Sequence, residues 1–249
     1  IVKSTQAKNK INQWFRTQFK EENILRGKEL LTNYCKAQGI VLTDLVKPEY
    51  TQACMKKYGF RDYRGGGRSS GRETTARVAA GAVAAKILKE LGIEVHAYTK
   101  AIGPVSVPEN EYHPEEIFQN PIYMPSNAYA QKASAYMEEC IKKQDTSGGI
   151  IECVVTGMPV GIGDTVFEKL DANLAKAMLS IGAVKGFEIG DGFKAADTKG
   201  SINNDSFHTK DGRITKDTNH AGGVLGGMSD GSKTVSYTHL RAHETLRHL

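Results

Sequence analysis

The feature that most constrains this chain is a glycine- and arginine-rich segment that leads directly into a helix of small residues. Residues 61–88 read RDYRGGGRSSGRETTARVAAGAVAAKIL, with five arginines from Arg61 to Arg77. Glycines let a backbone approach a ligand closely, and a helix start presents free N–H groups and a positive dipole end. Arginine adds a bidentate fork for phosphate. Residues 65–74 therefore predict a phosphate or phosphorylated ligand, with a solvated glycine-rich turn as the alternative.

The helix itself carries a second signal. Residues 73–91 predict one helix capped by Gly92, and small side chains lie on every face of ARVAAGAVAA. A helix without a polar face is typical of a buried position, so we expect it to pack between strands or other helices. The loop matches neither a Walker A motif nor a GxGxxG turn, because no Lys-Ser/Thr pair follows the glycines and no clear strand precedes them.

Charge is unevenly distributed along the 249 residues, whose net charge is +5. Residues 1–50 carry nine Lys/Arg against five Asp/Glu, whereas residues 51–234 are neutral. A local arginine cluster on a neutral body predicts an anion site, since nucleic-acid binding needs a broad basic surface. The sequence has no run of 18 apolar residues and no apolar signal-peptide centre near its start. We therefore expect a cytoplasmic protein without a nucleic-acid or membrane partner.

Cysteines and histidines give no metal or disulfide pattern. The four cysteines are Cys35, Cys54, Cys140 and Cys153. They show no CxxC spacing, so reduced thiols and no metal are expected. The histidines before the C-terminal tail are His96, His113, His208 and His220. Each lacks a positioned partner in the sequence and is expected to be structural.

Residues 59–234 alternate helices and strands, separated by glycine-rich turns. Besides 73–91, periodicity predicts helices at 126–143 and 164–181 and strands at 148–158 and 183–190. Glycines bound the β-branched run at 148–158, so this strand is expected to be buried. The alternation predicts a mixed α and β class.

Residues 1–58 have a different, helical pattern, with Ile11, Trp14, Phe15 and Phe19 three or four residues apart. The stretches IVKSTQAKNKINQWFRTQFKEENILRGKELL and LVKPEYTQACMKKYGF resemble the helical segment after the synthetase domain of bifunctional (p)ppGpp synthetase/hydrolases. The resemblance includes none of that family's catalytic residues. It implies a helical linker-like segment without chemistry.

The central segment resembles another family, the chorismate synthases, through GRSSGRETTARVAAGAV. The similarity continues in order through KKYGFRDYRGGGRSS, VTGMPVGIGDTVFEKLDANLAKAMLSIGAVKGFEIGDGF, GSINND and TNHAGGVLGGMSDG. It implies an α+β fold, namely an incomplete β-α-β sandwich of the chorismate synthase type with an extra N-terminal helical segment. It also implies a homotetramer for the complete family member.

This resemblance implies a function and a set of site residues. The family is a lyase of the shikimate pathway of aromatic amino acid biosynthesis. It removes phosphate from 5-enolpyruvylshikimate 3-phosphate by anti-1,4-elimination to give chorismate, using reduced FMN, with NADPH as the reductant in bifunctional members. The implied flavin contacts are Arg68, Ser69, Ser70, Gly182, Ala183 and Gly226. The implied substrate contact is Arg72.

Several motifs of that family are absent from this sequence. They are the N-terminal GxSHG motif, the GHAD motif (here YTQACMKKYG), and the KPTSS and RSDP motifs. No residue is therefore assigned as catalytic, and we expect the chain as written to be inactive. The alternatives are a non-catalytic (p)ppGpp synthetase/hydrolase linker fused to an inert domain, and a general flavin- or phosphate-binding module.

The two resemblances meet at the string KKYG, which both families share. An assembly chimera and a genuine fusion both account for such a junction. The predicted domains are a linker-like segment at 1–58, a partial chorismate synthase domain at 59–234 and an unstructured, non-native tail at 235–249. The tail, VSYTHLRAHETLRHL, resembles a translated sequencing adapter. A metal site at His239, His243 and His248 is the weaker alternative.

Overall fold

The computed structural model describes residues 55–60, 70–210 and 212–241. The chain divides into two units, residues 1–66 and 67–249. In the first unit, the described residues include a short helical stretch at 55–58. The helices expected around Trp14 lie outside the described residues, as do Arg68 and Ser69 of the arginine-rich loop.

The second unit combines helices with antiparallel strands, which confirms the predicted α+β class. The helices are α1 (Glu73–Glu90), α2 (Asn127–Lys142), α3 (Leu170–Leu179) and α4 (Gly200–Asn203). The strands are β1 (Glu94–Ile102), β2 (Val105–Ser106), β3 (Gly149–Thr156), β4 (Val184–Ile189), β5 (Phe207–Lys210), β6 (Arg213–Lys216), β7 (Val224–Leu225), β8 (Met228–Ser229) and β9 (Thr234–Leu240). Short 3-10 helices lie at Glu109–Glu111, Pro114–Gln119, Val166–Glu168 and Gly192–Asp197.

Five strands form the main sheet, in the order β2-β1-β3-β9-β4, with every neighbouring pair antiparallel. Two separate hairpins, β5–β6 and β7–β8, lie outside it. Because directly opposite residues share a face, Tyr98, Glu152 and Tyr237 lie together on one side of the sheet. The strand that closes the sheet at one edge, β4, packs against α3.

The densest part of the core lies beside the β1–β2 edge. Val107, Met124, Ala130 and Ala133 are buried in one cluster, and Ile102 and Val105 pack against it. Helix α2 supplies the two alanines, so the apolar side of this helix faces β2. The helix begins after Ser126 and ends at Lys142, as the periodicity of residues 126–143 predicts.

Helix α1 has the predicted boundaries, but the prediction that it is buried is wrong. It spans Glu73–Glu90 and none of its residues is buried. Val78, Val83 and Ile87 are 67%, 61% and 59% exposed. Among the described elements its main neighbour is β1, which covers only part of the helix. Small side chains allow other elements to pack closely against any face of a helix. They do not determine whether the fold places such elements beside it.

The expectation of an unstructured tail from Val235 is also wrong for residues 235–240. These residues belong to β9, which pairs with β3 on one side and β4 on the other. Thr234, Ser236 and Thr238 are buried in alternation with more exposed neighbours. The alternation was missed because the inward positions carry hydroxyls, not hydrocarbons. β-branched and aromatic residues still favour a strand here.

Two further elements differ in detail from the sequence prediction. The strand at 148–158 is present as β3, but Glu152 is its one buried residue and the others are half-buried. The helix expected at 164–181 is shorter and begins at Leu170. It starts late because Val166 has a left-handed φ of 58° and Lys169 an extended ψ of 140°, which interrupt helical geometry.

Candidate functional site

The N-terminal turn of α1 forms one side of the candidate site. The N–H groups of Glu73, Thr74 and Thr75 donate to the carbonyls three residues earlier, at 3.0–3.1 Å, which makes this turn tight. Ser70 is half-buried and Arg72 is exposed. No side chain caps the helix N-terminus. The positive end of an 18-residue helix is therefore presented beside an exposed guanidinium, an arrangement that favours an anion.

Arg77 links this helix to the segment after α3. Its Nη1 donates to the Ser180 hydroxyl at 2.9 Å and its Nη2 to the Ser180 carbonyl at 3.1 Å. Ser180 caps α3 and precedes Gly182 and Ala183 by two and three residues. The structure thus brings the starting end of α1 to the C-terminal end of α3, where two of the predicted flavin contacts lie.

Gly182 and Ala183 form an open corner before β4. A Cβ added at Gly182 would meet no atom within 4 Å. Ala183 has a left-handed φ of 70°, a conformation that costs an L-residue about 1–2 kcal/mol. Its carbonyl accepts a hydrogen bond from the Arg241 N–H at 2.9 Å. Both residues are exposed, so their backbone is accessible to a ligand.

Gly226 lies at the other end of α3. It belongs to the turn between β7 and β8, where the Gly227 carbonyl accepts a hydrogen bond from the N–H of Leu170, the first residue of α3, at 2.7 Å. A ten-residue helix is about 15 Å long. Gly226 is therefore separated from Gly182 by roughly the length of α3, whereas Gly182, Ala183 and the start of α1 share one end.

A buried serine fixes the Gly226 turn against the loop after β3. The Ser229 hydroxyl donates to the Pro159 carbonyl at 2.5 Å and accepts from the Ile162 N–H at 2.8 Å. The Ser229 backbone exchanges two more hydrogen bonds with this loop, from Gly161 at 2.8 Å and to Ile162 at 2.9 Å. Ser229 is 2% exposed. Four hydrogen bonds therefore join two glycine-rich segments that lie far apart in sequence.

Comparisons with known proteins indicate the family of this chain. The family model described as chorismate synthase matches residues 39–248. The chorismate synthase of Agathobacter rectalis is 60% identical over 190 residues, which is 76% of this chain and 52% of that protein. The enzyme of the same name from Lachnoclostridium phytofermentans is 59% identical over 180 residues, 72% of this chain and 49% of that protein.

The chain belongs to the chorismate synthase family. A crystal structure of a chorismate synthase matches with a TM-score of 0.71 and 30% sequence identity, covering 78% of this chain and 63% of the other. The chain spans about half the length of the curated chorismate synthases that it matches. The predicted α+β fold and the predicted chorismate synthase family are confirmed, and the resemblance of residues 1–58 to a (p)ppGpp synthetase/hydrolase linker stays a prediction.

His220 has a partner that the sequence did not reveal. Its Nδ1 lies 2.6 Å from Oδ2 of Asp191, and the Asp191 N–H donates to the His220 carbonyl at 2.8 Å. Both side chains are about one-third exposed or less. A carboxylate on one ring nitrogen fixes the orientation of an imidazole. Asp191 lies in the motif GFEIGDGF and His220 in TNHAGG. The spacing of these two glycine-rich motifs was the available sequence signal that the two residues meet.

A second acidic group, Glu152, is buried in the sheet. Its Oε2 lies 3.3 Å from Lys100 Nζ, and its Oε1 accepts a hydrogen bond from the Tyr237 hydroxyl at 3.4 Å. Burial and this carboxylate raise the pKa of Tyr237 to about 12 and raise that of Tyr98 further. Burial also raises the pKa of the neighbouring Cys153 thiol, which keeps it protonated and unreactive. These groups lie within the sheet and outside the candidate site.

The described residues contain no cluster of three or more histidine, cysteine or carboxylate side chains arranged to hold a metal ion. Within those same residues, none of the helices is both long and apolar enough to span a bilayer.

Sequence reasoning named Ser70, Arg72, Gly182, Ala183 and Gly226 but missed Arg77, Asp191 and Ser229, whose partners are distant in sequence.

Proposed function

We propose that the protein to which this chain belongs removes phosphate from 5-enolpyruvylshikimate 3-phosphate by anti-1,4-elimination and so produces chorismate. Family membership and 60% identity to a chorismate synthase support the proposal. The observation that carries it is the joining of α1 to the Gly182–Ala183 corner through Arg77 and Ser180. That contact brings the positive end of α1, which we propose binds phosphate, beside an open, small-residue surface.

Open space at two of the proposed contacts supports FMN as the ligand. A Cβ at Gly182 or Gly226 would meet no atom within 4 Å, so open space adjoins both backbones. FMN carries a ring system at one end and a phosphate at the other. Two contact groups separated by roughly 15 Å suit the two ends of one extended ligand. The cofactor would be held by Arg68, Ser69, Ser70, Gly182, Ala183 and Gly226.

Bound and reduced, FMN supplies electron density to the substrate. The contribution of this chain is electrostatic. The substrate carries a phosphate and two carboxylates, and phosphate departs as an anion. The exposed Arg72 guanidinium, at the positive end of α1, would bind such an anion through two parallel hydrogen bonds. Arg72→Lys should weaken ligand binding, because an ammonium cannot form the bidentate fork.

The remaining features of the proposed protein follow from the family. We propose NADPH as the reductant of FMN where reduction occurs in the same protein, a homotetramer for the complete protein and a cytoplasmic location. Neither a nucleic acid nor a membrane is a proposed partner. The 249-residue chain by itself is proposed to bind FMN weakly without turnover, because its sequence lacks both histidine motifs of the family.

A matched pair of glycine variants tests the cofactor site. Gly226 and Gly212 have left-handed φ values of 60° and 72°, and both have open space at Cβ. Alanine at either position should cost similar strain, about 1–2 kcal/mol. We expect Gly226→Ala alone to weaken FMN binding, followed by quenching of flavin fluorescence. Equal FMN affinity in the two variants would remove Gly226 from the site.

The proposed chemistry is tested by anaerobic incubation with reduced FMN and 5-enolpyruvylshikimate 3-phosphate, with measurement of released phosphate. For the 249-residue chain we expect no phosphate release above the rate without protein. Release at the rate of a complete chorismate synthase would show that the missing motifs are dispensable. Absence of any FMN binding, reduced or oxidised, would overturn the proposed site itself.

A further inference from the structure

A buried ionic cluster lies behind the Gly226 turn. Lys216 Nζ is 3.2 Å from Oδ2 of Asp205 and 2.7 Å from Oδ2 of Asp230. The three side chains are 3%, 3% and 9% exposed. The cluster joins the segment after α4, strand β6 and the loop after β8. None of its members lies in the five-stranded sheet.

Asp205 accepts three hydrogen bonds besides its contact with Lys216. Its Oδ1 accepts hydrogen bonds from the Thr218 hydroxyl at 2.7 Å and the His220 N–H at 2.8 Å, and its Oδ2 accepts one from the Ala221 N–H at 3.1 Å. Burial acts to raise its pKa, but these hydrogen bonds and that from Lys216 hold the pKa of Asp205 well below its usual value. The carboxylate therefore stays charged and keeps its four donors.

The segment that these bonds hold is glycine-rich and has little regular structure of its own. Residues 219–231 contain five glycines with left-handed φ besides the short strands β7 and β8. Asn219 accepts from the Gly223 N–H at 2.9 Å and donates to the Lys233 carbonyl at 2.8 Å. Such a backbone has high conformational entropy when unfolded, so side-chain anchors decide its conformation.

We propose that Asp205, together with Lys216, is the positioning centre that holds residues 219–231 in the ligand-competent conformation. Through the N–H groups of His220 and Ala221 it sets the segment that presents His220 to Asp191 and Gly226 to the site. Burying three charges is costly, and an apolar cluster would stabilise a fold equally well. In this proposal the three buried charges serve conformational specificity. The ligand part of this inference rests on the proposed function.

Amide hydrogen exchange of the full 249-residue chain tests the positioning directly. In Asp205→Asn, we expect exchange in peptides from residues 219–231 to accelerate at least about tenfold. Peptides from β3 should accelerate by a smaller factor, set only by the loss of global stability. The matched control is Asp217→Asn, an aspartate of the same region whose side chain is 77% exposed. It should leave both sets of peptides unchanged.

FMN binding supplies the second measurement. Asp205→Asn should raise the Kd for FMN about tenfold, since weakened anchoring lowers the population of the competent conformation. In a double-mutant cycle, Asp205→Asn and Gly226→Ala should be non-additive, because both act on one segment. A residue that only stabilises the fold would give additive effects. Lys216→Arg, which keeps the charge, should retain more affinity than Lys216→Met.

The outcomes separate this inference from the proposed function. Unchanged exchange at 219–231 in Asp205→Asn, or acceleration of β3 in step with it, overturns the positioning role. So does full additivity with Gly226→Ala in a chain that binds FMN. If the unaltered chain binds no FMN while exchange at 219–231 accelerates as expected, the positioning role stands and the proposed ligand is wrong.

Discussion

Arg77 holds Ser180 through both a side-chain and a main-chain oxygen, although 103 residues separate them in sequence. The guanidinium can satisfy two acceptors at once because its N–H groups form a planar fork. The contact fixes the direction in which α1 begins relative to the end of α3. The helix that carries Arg72 and the corner formed by Gly182 and Ala183 are thereby held in one arrangement.

Removing this fork should loosen the site more than it destabilises the chain. Arg77→Ala is expected to lower the free energy of unfolding only modestly, because the contact is exposed. Each lost hydrogen bond should cost no more than about 0.5–1.5 kcal/mol. FMN affinity should fall as the two contact groups separate. Urea unfolding and flavin titration measure the two effects. Lys86→Ala, at another exposed position of the same helix, should change neither the free energy of unfolding nor the FMN affinity. If Arg77→Ala binds FMN as tightly as the unaltered chain, the arrangement is contradicted.

Ser229 should be a strong determinant of stability because its hydroxyl is buried and has two partners. Ser229→Ala leaves the Ile162 N–H and the Pro159 carbonyl without this partner. The expected cost is about 1–3 kcal/mol. Limited proteolysis should then cleave residues 158–164 faster than in the unaltered chain. Ser206→Ala, an exposed serine, is the control, and equal cleavage in the two variants would show that the loop is held by other contacts.

The low pKa of Asp205 predicts the pH dependence of stability. A carboxyl whose pKa is lower in the folded chain contributes stability above its unfolded pKa of about 3.9, and loses that contribution as pH falls further. Asp205→Asn should therefore be less stable than the unaltered chain at pH 7, by about 1–3 kcal/mol. The difference should shrink below pH ~4. Urea unfolding between pH 7 and pH 3 measures it, and a constant difference across that range would contradict the assignment.

Much of the fold could be predicted from local patterns. Helix α2 follows Ser126 and β4 fills the predicted range 183–190, because periodicity and turn residues report on elements that are locally determined. The burial of α1 could not be predicted in this way, since burial depends on which elements pack against the helix. Strand β9 was missed because its inward residues are Thr234, Ser236 and Thr238, which binary apolar patterning does not detect.

The residues of the candidate site likewise fall into those that could be predicted from the sequence and those that could not. Gly182, Gly226 and Arg72 could be named from motifs whose residue types reflect a ligand. The residues that hold them could not, because Arg77 and Ser180, or Asp205 and Lys216, meet only through the tertiary fold. A single sequence does not say which polar residues meet.

Ala183 provides a test in which stability and binding should change in opposite directions. Its φ of 70° strains an alanine, and glycine at this position would relieve the strain. Ala183→Gly should therefore raise the free energy of unfolding by up to about 1 kcal/mol, as measured by urea unfolding. FMN affinity should fall, because a more mobile corner before β4 presents the ligand with a less defined surface.

The matched control for Ala183 is Val166, which has a left-handed φ of 58° and is 71% exposed. Val166→Gly relieves similar strain at a position outside the proposed contacts, so it should stabilise the chain and leave FMN affinity unchanged. If both variants gain stability and bind FMN like the unaltered chain, the strain at Ala183 has no role in ligand binding. A loss of affinity confined to Ala183→Gly would support a backbone conformation maintained for the cofactor at the expense of stability.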